Sequence, residues 1–158
     1  MEMDAGKKIT LMPYTLKRCH EFYMDYIADP AMTYDTYIYN KEKVDTFYID
    51  KVLDTTRRFF AICYNKKVIG EIQIKRIDFE KHCGTLSIHL INDTVKGKGF
   101  GTEAERLMIV YAVHNLGLYT IYADAVHRNN RSKYILEKLG FRHIYDDENL
   151  VYYELKVN

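Results

Sequence analysis

Two segments near the middle of the chain alternate between apolar and polar residues. In residues 68–77, Ile72 and Ile74 alternate with Glu71 and Gln73, and residues 84–91 show the same period of two. This period predicts strands with one buried face. The apolar segment 59–64 and a short polar turn come directly before them, so we expect three consecutive strands in an antiparallel meander.

Apolar residues recur three and four positions apart elsewhere, which predicts helices. The expected order along the chain is a strand at 9–12, helices at 15–28 and 41–53, the three strands, a helix at 102–116, a strand at 118–126, a helix at 130–139, and strands at 141–145 and 150–157. Gly117 and Gly140 end the last two helices. The sequence therefore predicts an α+β fold, in which about four helices flank a mixed, mostly antiparallel central sheet of about seven strands.

Composition limits the function classes. A chain of 158 residues predicts a single domain over residues 1–158. The 23 basic and 22 acidic residues nearly cancel, which argues against nucleic acid as a partner. We expect no membrane association, because no apolar run reaches the length of a span. Three cysteines without an apolar signal segment favour the cytoplasm, and the spacing of cysteines and histidines predicts no metal site.

The most informative stretch is the glycine-rich loop 96–102, which carries Gly97, Gly99 and Gly101 between lysines and the start of a helix. A P-loop is excluded, because no glycine-lysine-Ser/Thr triplet occurs. Gly99, Gly101 and Ala104 match the dinucleotide-binding fingerprint GxGxxA. In that fold, however, the first glycine directly follows a strand, and here it does not. The remaining interpretation is an anion site made of backbone N–H groups at a helix N-terminus. Thr102 and Glu105 have the spacing of a capping box.

Two motifs together resemble the GNAT superfamily of N-acetyltransferases. The loop is similar to its motif A, [Q/R]-x-x-G-x-[G/A], with Lys96 in place of the usual Gln or Arg. Downstream, NNRSKYILEKLGF resembles a second signature, N-x-x-[A/S] followed by E-K-L-G-F. Their order and spacing fit the predicted elements over nearly the whole chain, and the ending is similar to the branch of ribosomal-protein and small-amine acetyltransferases.

The resemblance implies acetyl-CoA as the co-substrate and direct acetyl transfer to an amine, without a metal or a covalent intermediate. It implies that the loop binds the pyrophosphate and that the end of the preceding strand pairs with the pantetheine arm. The expected coenzyme-binding residues are Leu90, Ile91, Asn92, Lys96, Gly97, Lys98, Gly99, Phe100, Gly101, Thr102, Asn129 and Ser132. The last two also suit the N-terminal cap of a helix.

The resemblance indicates the catalytic groups less directly than the coenzyme-binding residues. Many members carry a tyrosine where this chain has Leu136, and an acidic residue where it has Leu86. His89 is the nearest titratable residue on the strand before the loop, and Glu71 on the neighbouring strand is the second candidate for a general base. A non-catalytic module that binds or senses acyl-CoA is the alternative function.

The acceptor is an amine of unknown identity, either a small amine or a protein amine. In this fold residues 24–54 cover the acceptor pocket, and here they mix tyrosines with carboxylates, which would suit a cationic amine. Whether two copies form a homodimer is left open by the sequence.

Overall fold

The computed structural model describes residues 3–4 and 9–157, which form one mixed sheet with helices on both faces. The strands are β1 (Met3–Asp4), β2 (Thr10–Pro13), β3 (Arg58–Tyr64), β4 (Lys67–Asp78), β5 (Cys83–Leu90), β6 (Thr120–Val126), β7 (Arg142–Asp146) and β8 (Leu150–Lys156). Their order across the sheet is β1-β2-β3-β4-β5-β6-β8-β7.

The predicted fold class is confirmed. Every neighbouring pair of strands is antiparallel except β5 and β6, which are parallel and joined by a helical crossover. The sheet has one strand more than the seven expected. The additional strand, β1, has only two residues paired with β2, too few for a period of two to be recognised.

Four α-helices were expected, and residues 9–157 contain four. They are α1 (Leu16–Asp25), α2 (Lys41–Phe47), α3 (Phe100–His114) and α4 (Asn130–Lys138). The helix predicted at 41–53 is α-helical only in its first part and ends as a π-helical turn, Tyr48–Val52. Side-chain caps start α1 and α2, where Thr15 accepts from the Arg18 N–H and Asn40 accepts from the Lys43 N–H.

The two faces of β4 and β5 meet different helices. Ile72 and Ile88 are paired across the strands and lie on the α3 face, since a Cβ added to Gly101 of α3 would contact Ile88. Glu71 and His89, the next pair, lie on the opposite face, where α1 brings Tyr23 to Glu71. The alternation in the sequence thus separates an apolar face under α3 from a polar face under α1.

The parallel pair separates after three residues. β5 and β6 are in register only from Cys83 to Thr85 and from Thr120 to Tyr122. Beyond that point β6 continues its pairing with β8 to its end, and β5 continues its pairing with β4 up to Leu90. Each strand therefore keeps one partner and has an open edge facing the gap between them.

Gly84 allows close packing where β5 and β6 are still paired. A Cβ at this position would lie 2.6 Å from Ile74 Cγ2 and 3.3 Å from Leu118 Cδ1. The strand must therefore approach its neighbours more closely than any larger residue allows.

We expect Gly84→Ala to lower the free energy of unfolding by about 1–3 kcal/mol, because the added methyl overpacks the core where β5 and β6 meet. Chemical denaturation would measure the loss. Gly101→Ala is the matched control, since its Cβ would meet Leu90 at an ordinary 3.7 Å. Equal stability of the two variants would contradict the close-packing argument.

Candidate coenzyme and catalytic site

The gap between β5 and β6 forms a cleft that runs from the glycine loop through the sheet to its α1 face. α3 bounds one side of this cleft, and the N-terminus of α4 and residues 29–32 bound the other. Its lining includes Tyr26, Asp29, Met32, Gln73, Lys75, Ser87, Ile88, His89, Leu90, Lys96, Gly101, Glu105, Ala123, Asp124, Ala125, Asn129, Arg131, Ser132 and Ile135. The small side chains Ala123 and Ala125 on β6 leave the gap open.

The glycine loop leads into the free N-terminus of α3. Gly97 and Gly99 have φ of 75° and 83°, a left-handed conformation that favours glycine. The first N–H bonded within the helix is that of Glu103, which donates to the Gly99 carbonyl at 3.1 Å. The N–H groups of Phe100, Gly101 and Thr102 come before it and have no acceptor in the helix. These donors make an anion site at the positive end of the helix dipole.

The predicted capping box is wrong. α3 begins at Phe100 with Gly99 as its N-cap, and no side chain caps it. Thr102 is therefore already inside the first turn, and Glu105 is buried in the next one instead of reaching back to the cap. The glycine at the start of the helix leaves its N–H groups unoccupied, which a capping box would have prevented.

Lys96 lies at the loop but is paired with carboxylates. Its Nζ is 3.0 Å from both Asp29 Oδ2 and Asp93 Oδ1. Burial acts to raise the pKa of Asp29, but the Ala31 N–H and the Lys96 ammonium outweigh it and hold that pKa below its ordinary value. Lys98 is exposed, and Arg131 of α4 adds a cation to the cleft. Phe100 is buried against Tyr64, so only its backbone faces the loop.

At the end of β5, the backbone N–H and C=O groups of Leu90 point toward the cleft. The Ile91 N–H donates to the Ile69 carbonyl at 2.8 Å, and the Ile91 carbonyl accepts from the Ile27 N–H at 2.9 Å. Because backbone groups alternate in direction along a strand, those of Ile88 and Leu90 point toward the gap. Of the three residues expected to pair with a pantetheine arm, Leu90 is the one with this orientation.

Asn92, the last of these three residues, is engaged in local structure. Asn92 caps the short 3-10 helix Asp93–Val95 by accepting from the Thr94 N–H, and its amide donates to the Asp25 carbonyl at 3.3 Å. On the opposite side of the cleft, Asn129 caps α4 by accepting from the Ser132 N–H at 3.1 Å. Asn129 and Ser132 line the cleft as well, so the capping role and a coenzyme contact are compatible.

The two catalytic candidates, His89 and Glu71, are hydrogen-bonded to each other. The distance from His89 Nδ1 to Glu71 Oε2 is 3.0 Å. Since a carboxylate only accepts, Nδ1 carries the proton of the neutral imidazole and Nε2 has the free lone pair. Nε2 makes no hydrogen bond to a described residue, and the ring lines the cleft.

Glu71 is buried and held by three donors. Its side chain is 3% exposed and accepts from the Tyr14 hydroxyl at 2.8 Å and the Tyr23 hydroxyl at 2.9 Å as well as from His89. Burial first, and then the Glu71 charge, raises the pKa of both phenols, so they remain donors. The carboxylate is thereby fixed in position and can orient the imidazole.

Tyr26 is a tyrosine of the cleft that sequence reasoning left without a role. Burial and then the Glu71 charge raise its pKa to about 12, its ring centroid is 6.2 Å from that of His89, and its hydroxyl bonds to no described residue. On α4, by contrast, Leu136 is buried beside the cleft and Tyr134 is exposed on the outer side. The described part of α4 therefore supplies no phenol to the site.

Glu105 is the second buried carboxyl group of the cleft, and its surroundings are the opposite of those of Glu71. It is 5% exposed and makes no hydrogen bond to any described residue. Burial raises its pKa to about 8, and no charged neighbour contributes. Sequence reasoning assigned it to a cap, because its spacing from Thr102 fitted one; its position on the inner face of the helix was the signal for burial.

A family model for the GNAT acetyltransferase domain matches residues 8–142. The chain belongs to the GNAT acetyltransferase family. The co-substrate of this family is acetyl-CoA, and the free helix N-terminus, the parted strands and the cleft between them fit it. The resemblance found in the two sequence motifs is thus confirmed.

A GNAT relative with partial similarity is the probable N-acetyltransferase YjcK of Bacillus subtilis, which is 43% identical over 53 residues. That segment is 34% of this chain and spans only 29% of the length of YjcK. Among the described helices of this GNAT chain, none is both long and apolar enough to cross a membrane.

Solved GNAT structures share the fold across the chain. The ribosomal-protein α-N-acetyltransferase RimL, in complex with coenzyme A, superposes with a TM-score of 0.83 at 12% identity and covers 99% of this chain and 98% of its own. A spermidine N-acetyltransferase SpeG chimera of the Vibrio cholerae and hSSAT proteins gives a TM-score of 0.81 at 16% identity, covering 95% and 96%. The PseH N-acetyltransferase of Campylobacter jejuni, in complex with acetyl coenzyme A, gives 0.65 at 20% identity, covering 73% and 78%.

We expect Glu105 to make the stability of this chain pH-dependent. Because its pKa is raised from 4.5 to about 8, the folded state keeps a proton that the unfolded state releases between these values, so stability falls as the pH rises through this window. Glutamine does not ionise, so Glu105→Gln should lack this loss of stability with rising pH. The difference in unfolding free energy between the variant and the wild type should grow by a few kcal/mol from pH 5 to pH 8.

Denaturant unfolding at several pH values measures this difference, and all other titrating groups cancel from it. Glu103→Gln on the same helix is the control, since Glu103 pairs with Arg106 on the outer side. A difference for Glu105→Gln that does not change with pH would contradict a neutral, buried Glu105.

Proposed function

We propose that this GNAT protein is an acetyl-CoA-dependent N-acetyltransferase that transfers the acetyl group directly to an amine. The observation that carries the proposal is the cleft itself. It connects the unoccupied N–H groups of α3 at one end with the free Nε2 of His89 at the other. An anionic coenzyme bound at the first end would present its thioester to a base at the second.

The loop binds the pyrophosphate in this proposal. The N–H groups from Gly97 to Thr102 donate to the phosphate oxygens, and the exposed Lys98 and the cleft-lining Arg131 supply positive charge. The Lys96 ammonium, already paired with Asp29 and Asp93, acts mainly by holding residue 29 against the loop. The backbone of Ile88 and Leu90 then pairs with the pantetheine arm as a missing strand would.

The chemical step needs a neutral amine and a stabilised leaving group. His89 Nε2 accepts a proton from the acceptor ammonium, while Glu71 fixes the imidazole through Nδ1. The amine nitrogen forms a bond to the thioester carbon, the C–S bond breaks, and the second proton that the nitrogen loses on becoming an amide passes to the departing coenzyme thiolate. The Tyr26 hydroxyl lies in the cleft as a donor for that thiolate.

The acceptor enters from the α1 face, where aromatic rings surround the His89–Glu71 pair. The ring centroid of Tyr37 lies 5.3 Å from those of both Tyr23 and Tyr26, tilted against the first and edge-to-face with the second, and the three rings form an aromatic wall suited to an ammonium group. The carboxylates of this segment do not converge there, because Asp45 pairs with His20 and Asp29 pairs with Lys96. Recognition of the amine therefore depends on the rings and on Glu71, which fits either a small amine or a protein amine.

The alternative is a module that binds acyl-CoA without catalysis. The described residues of α4 place no phenol on the cleft side, and this favours the binding module. One measurement distinguishes the two functions: an enzyme releases free thiol from acetyl-CoA when an amine is supplied, and a binding module does not.

We expect coenzyme A to raise the melting temperature, since a ligand that binds only the folded state stabilises it by mass action. At a concentration 100 times its dissociation constant the stabilisation is about 2.7 kcal/mol. A panel of amines, including polyamines and N-terminal peptides, should then contain at least one that releases thiol from acetyl-CoA. A thermal shift without thiol release from any amine would support the binding module, and no shift at millimolar coenzyme would contradict both functions.

We expect His89→Ala to lower turnover by about 10²–10⁴-fold, the usual contribution of general base catalysis, with little change in coenzyme affinity. In the wild type, turnover should rise with pH, as general base catalysis requires, and this rise should disappear in the variant. Steady-state rates between pH 5.5 and 9 measure both effects.

Glu71→Gln tests the positioning role separately. It keeps the side-chain shape but removes the charge that orients the imidazole, so turnover should fall while coenzyme binding is retained. The conservative variant Glu71→Asp should recover part of the rate. Near-normal turnover in folded His89→Ala, with its pH dependence intact, would exclude His89 as the base.

A further inference from the structure

Glu105 has the features of a ligand-binding group without a partner in the protein. It lies on α3 one turn beyond the glycine loop and lines the cleft both near the loop and where the cleft passes through the sheet. The side chain is 95% buried, and no described residue donates to it or accepts from it. Burying a carboxyl group without hydrogen bonds is costly, so its retention needs a compensating contact.

The carboxyl group of Glu105 is not fully enclosed. Among the described residues, no polar side-chain atom is both fully buried and unpaired. The small exposure that remains to Glu105 must therefore be exposure to the cleft it lines. A molecule that occupies the cleft would meet the carboxyl group directly.

Charged groups face the cleft from all the surrounding elements. They are Lys75 on β4, His89 on β5, Asp124 on β6, Arg131 on α4, and Lys96 with Asp29 beside the loop. None of them contributes to the shift of Glu105, whose pKa of about 8 has burial as its cause. At neutral pH the group is therefore mostly a neutral carboxylic acid, with one O–H donor and one carbonyl acceptor.

We propose that Glu105 is a coenzyme-binding residue whose carboxyl group hydrogen-bonds an amide of the pantetheine arm. This inference rests on the proposed function, in which the arm crosses the gap between β5 and β6. The arm carries secondary amides, and the backbone of Leu90 and Ile88 can pair with only one edge of it. Glu105 approaches from the α3 side and pairs with the polar groups that β5 does not reach.

The neutral, protonated form of Glu105 is suited to hydrogen-bonding an amide of the arm. The O–H of the acid donates to an amide carbonyl, whereas an ionised carboxylate at this depth would be unfavourable beside the phosphates of the coenzyme. The bound arm would also replace the solvent in the cleft and satisfy the acid. Binding of the pantetheine portion should therefore depend on the protonation of Glu105.

Two ligands, compared between variants, isolate the pantetheine contact. Coenzyme A contains the arm, whereas adenosine 3′,5′-bisphosphate lacks both the arm and the second phosphate of the pyrophosphate, so the change in the ratio of the two affinities on substitution of Glu105 reports the contact. We expect Glu105→Leu to weaken coenzyme A binding by about 3- to 10-fold, the contribution of one hydrogen bond, and to leave binding of the bisphosphate unchanged. Isothermal titration with both ligands measures the ratio of the two affinities, and Glu103→Gln should leave that ratio as in the wild type.

The pH dependence provides a second readout. In the wild type the ratio of coenzyme A affinity to bisphosphate affinity should fall by about tenfold from pH 7 to pH 9, as Glu105 loses its proton. In Glu105→Gln, which keeps a donor and an acceptor but does not ionise, the ratio should stay constant. Should the leucine variant fail to fold, this comparison alone decides the question.

The inference would be overturned if folded Glu105→Leu bound coenzyme A as tightly as the wild type, or if it lost affinity for both ligands equally. A loss of turnover without a loss of coenzyme affinity would also overturn it, because the group would then act on the reaction and not on binding. Failure of the proposed function looks different: the wild type itself would bind neither ligand.

Discussion

The separation of β5 from β6 is the constraint on which the whole site depends. Each strand keeps a full ladder with its other neighbour, β4 or β8, so the sheet stays intact although its centre is open. The open edges expose backbone groups that need partners, and for this reason the gap suits the extended, amide-containing arm of the proposed coenzyme. Gly84, close against Ile74 and Leu118, fixes the point where pairing ends.

Two buried glutamates show how the surroundings assign different chemistry to the same residue type. Glu71 is surrounded by the hydroxyls of Tyr14 and Tyr23 and by His89, and it serves as a fixed acceptor that orients an imidazole. Glu105 has no such donors, and burial keeps it protonated to about pH 8. They lie on opposite faces of the sheet, so the cleft that passes through the sheet meets a charged carboxylate on the acceptor side and a neutral acid on the coenzyme side.

The free donors of the glycine loop are backbone N–H groups more than the basic side chains that first draw attention to the loop. Lys96 is neutralised by Asp29 and Asp93, whereas the N-terminus of α3 has no side-chain cap. The ion pair between Lys96 and Asp29 also joins the loop to the segment after α1.

The sequence by itself determined the order of the elements, the α+β class and the family. These depend on local patterns: a period of two in β4 and β5, helical spacing in α1 and α3, and the glycines of the loop. It also pointed to His89 and Glu71, because both are titratable residues on strands next to that loop. It could not show that they are hydrogen-bonded, since the register of β4 against β5 sets that contact and a shift of one residue would remove it.

The tertiary structure alone decided the rest. The spacing of Thr102 and Glu105 predicted a cap, but the left-handed Gly99 starts the helix earlier and turns Glu105 inward. Lys96 was expected among the coenzyme-binding residues, yet its ammonium is paired with a carboxylate 67 positions away in the chain. Which backbone groups of β5 face the gap depends on pairing with β4 and on the departure of β6. The last two outcomes are contacts between distant segments, and local sequence carries no signal for such contacts because their geometry exists only once the sheet has formed.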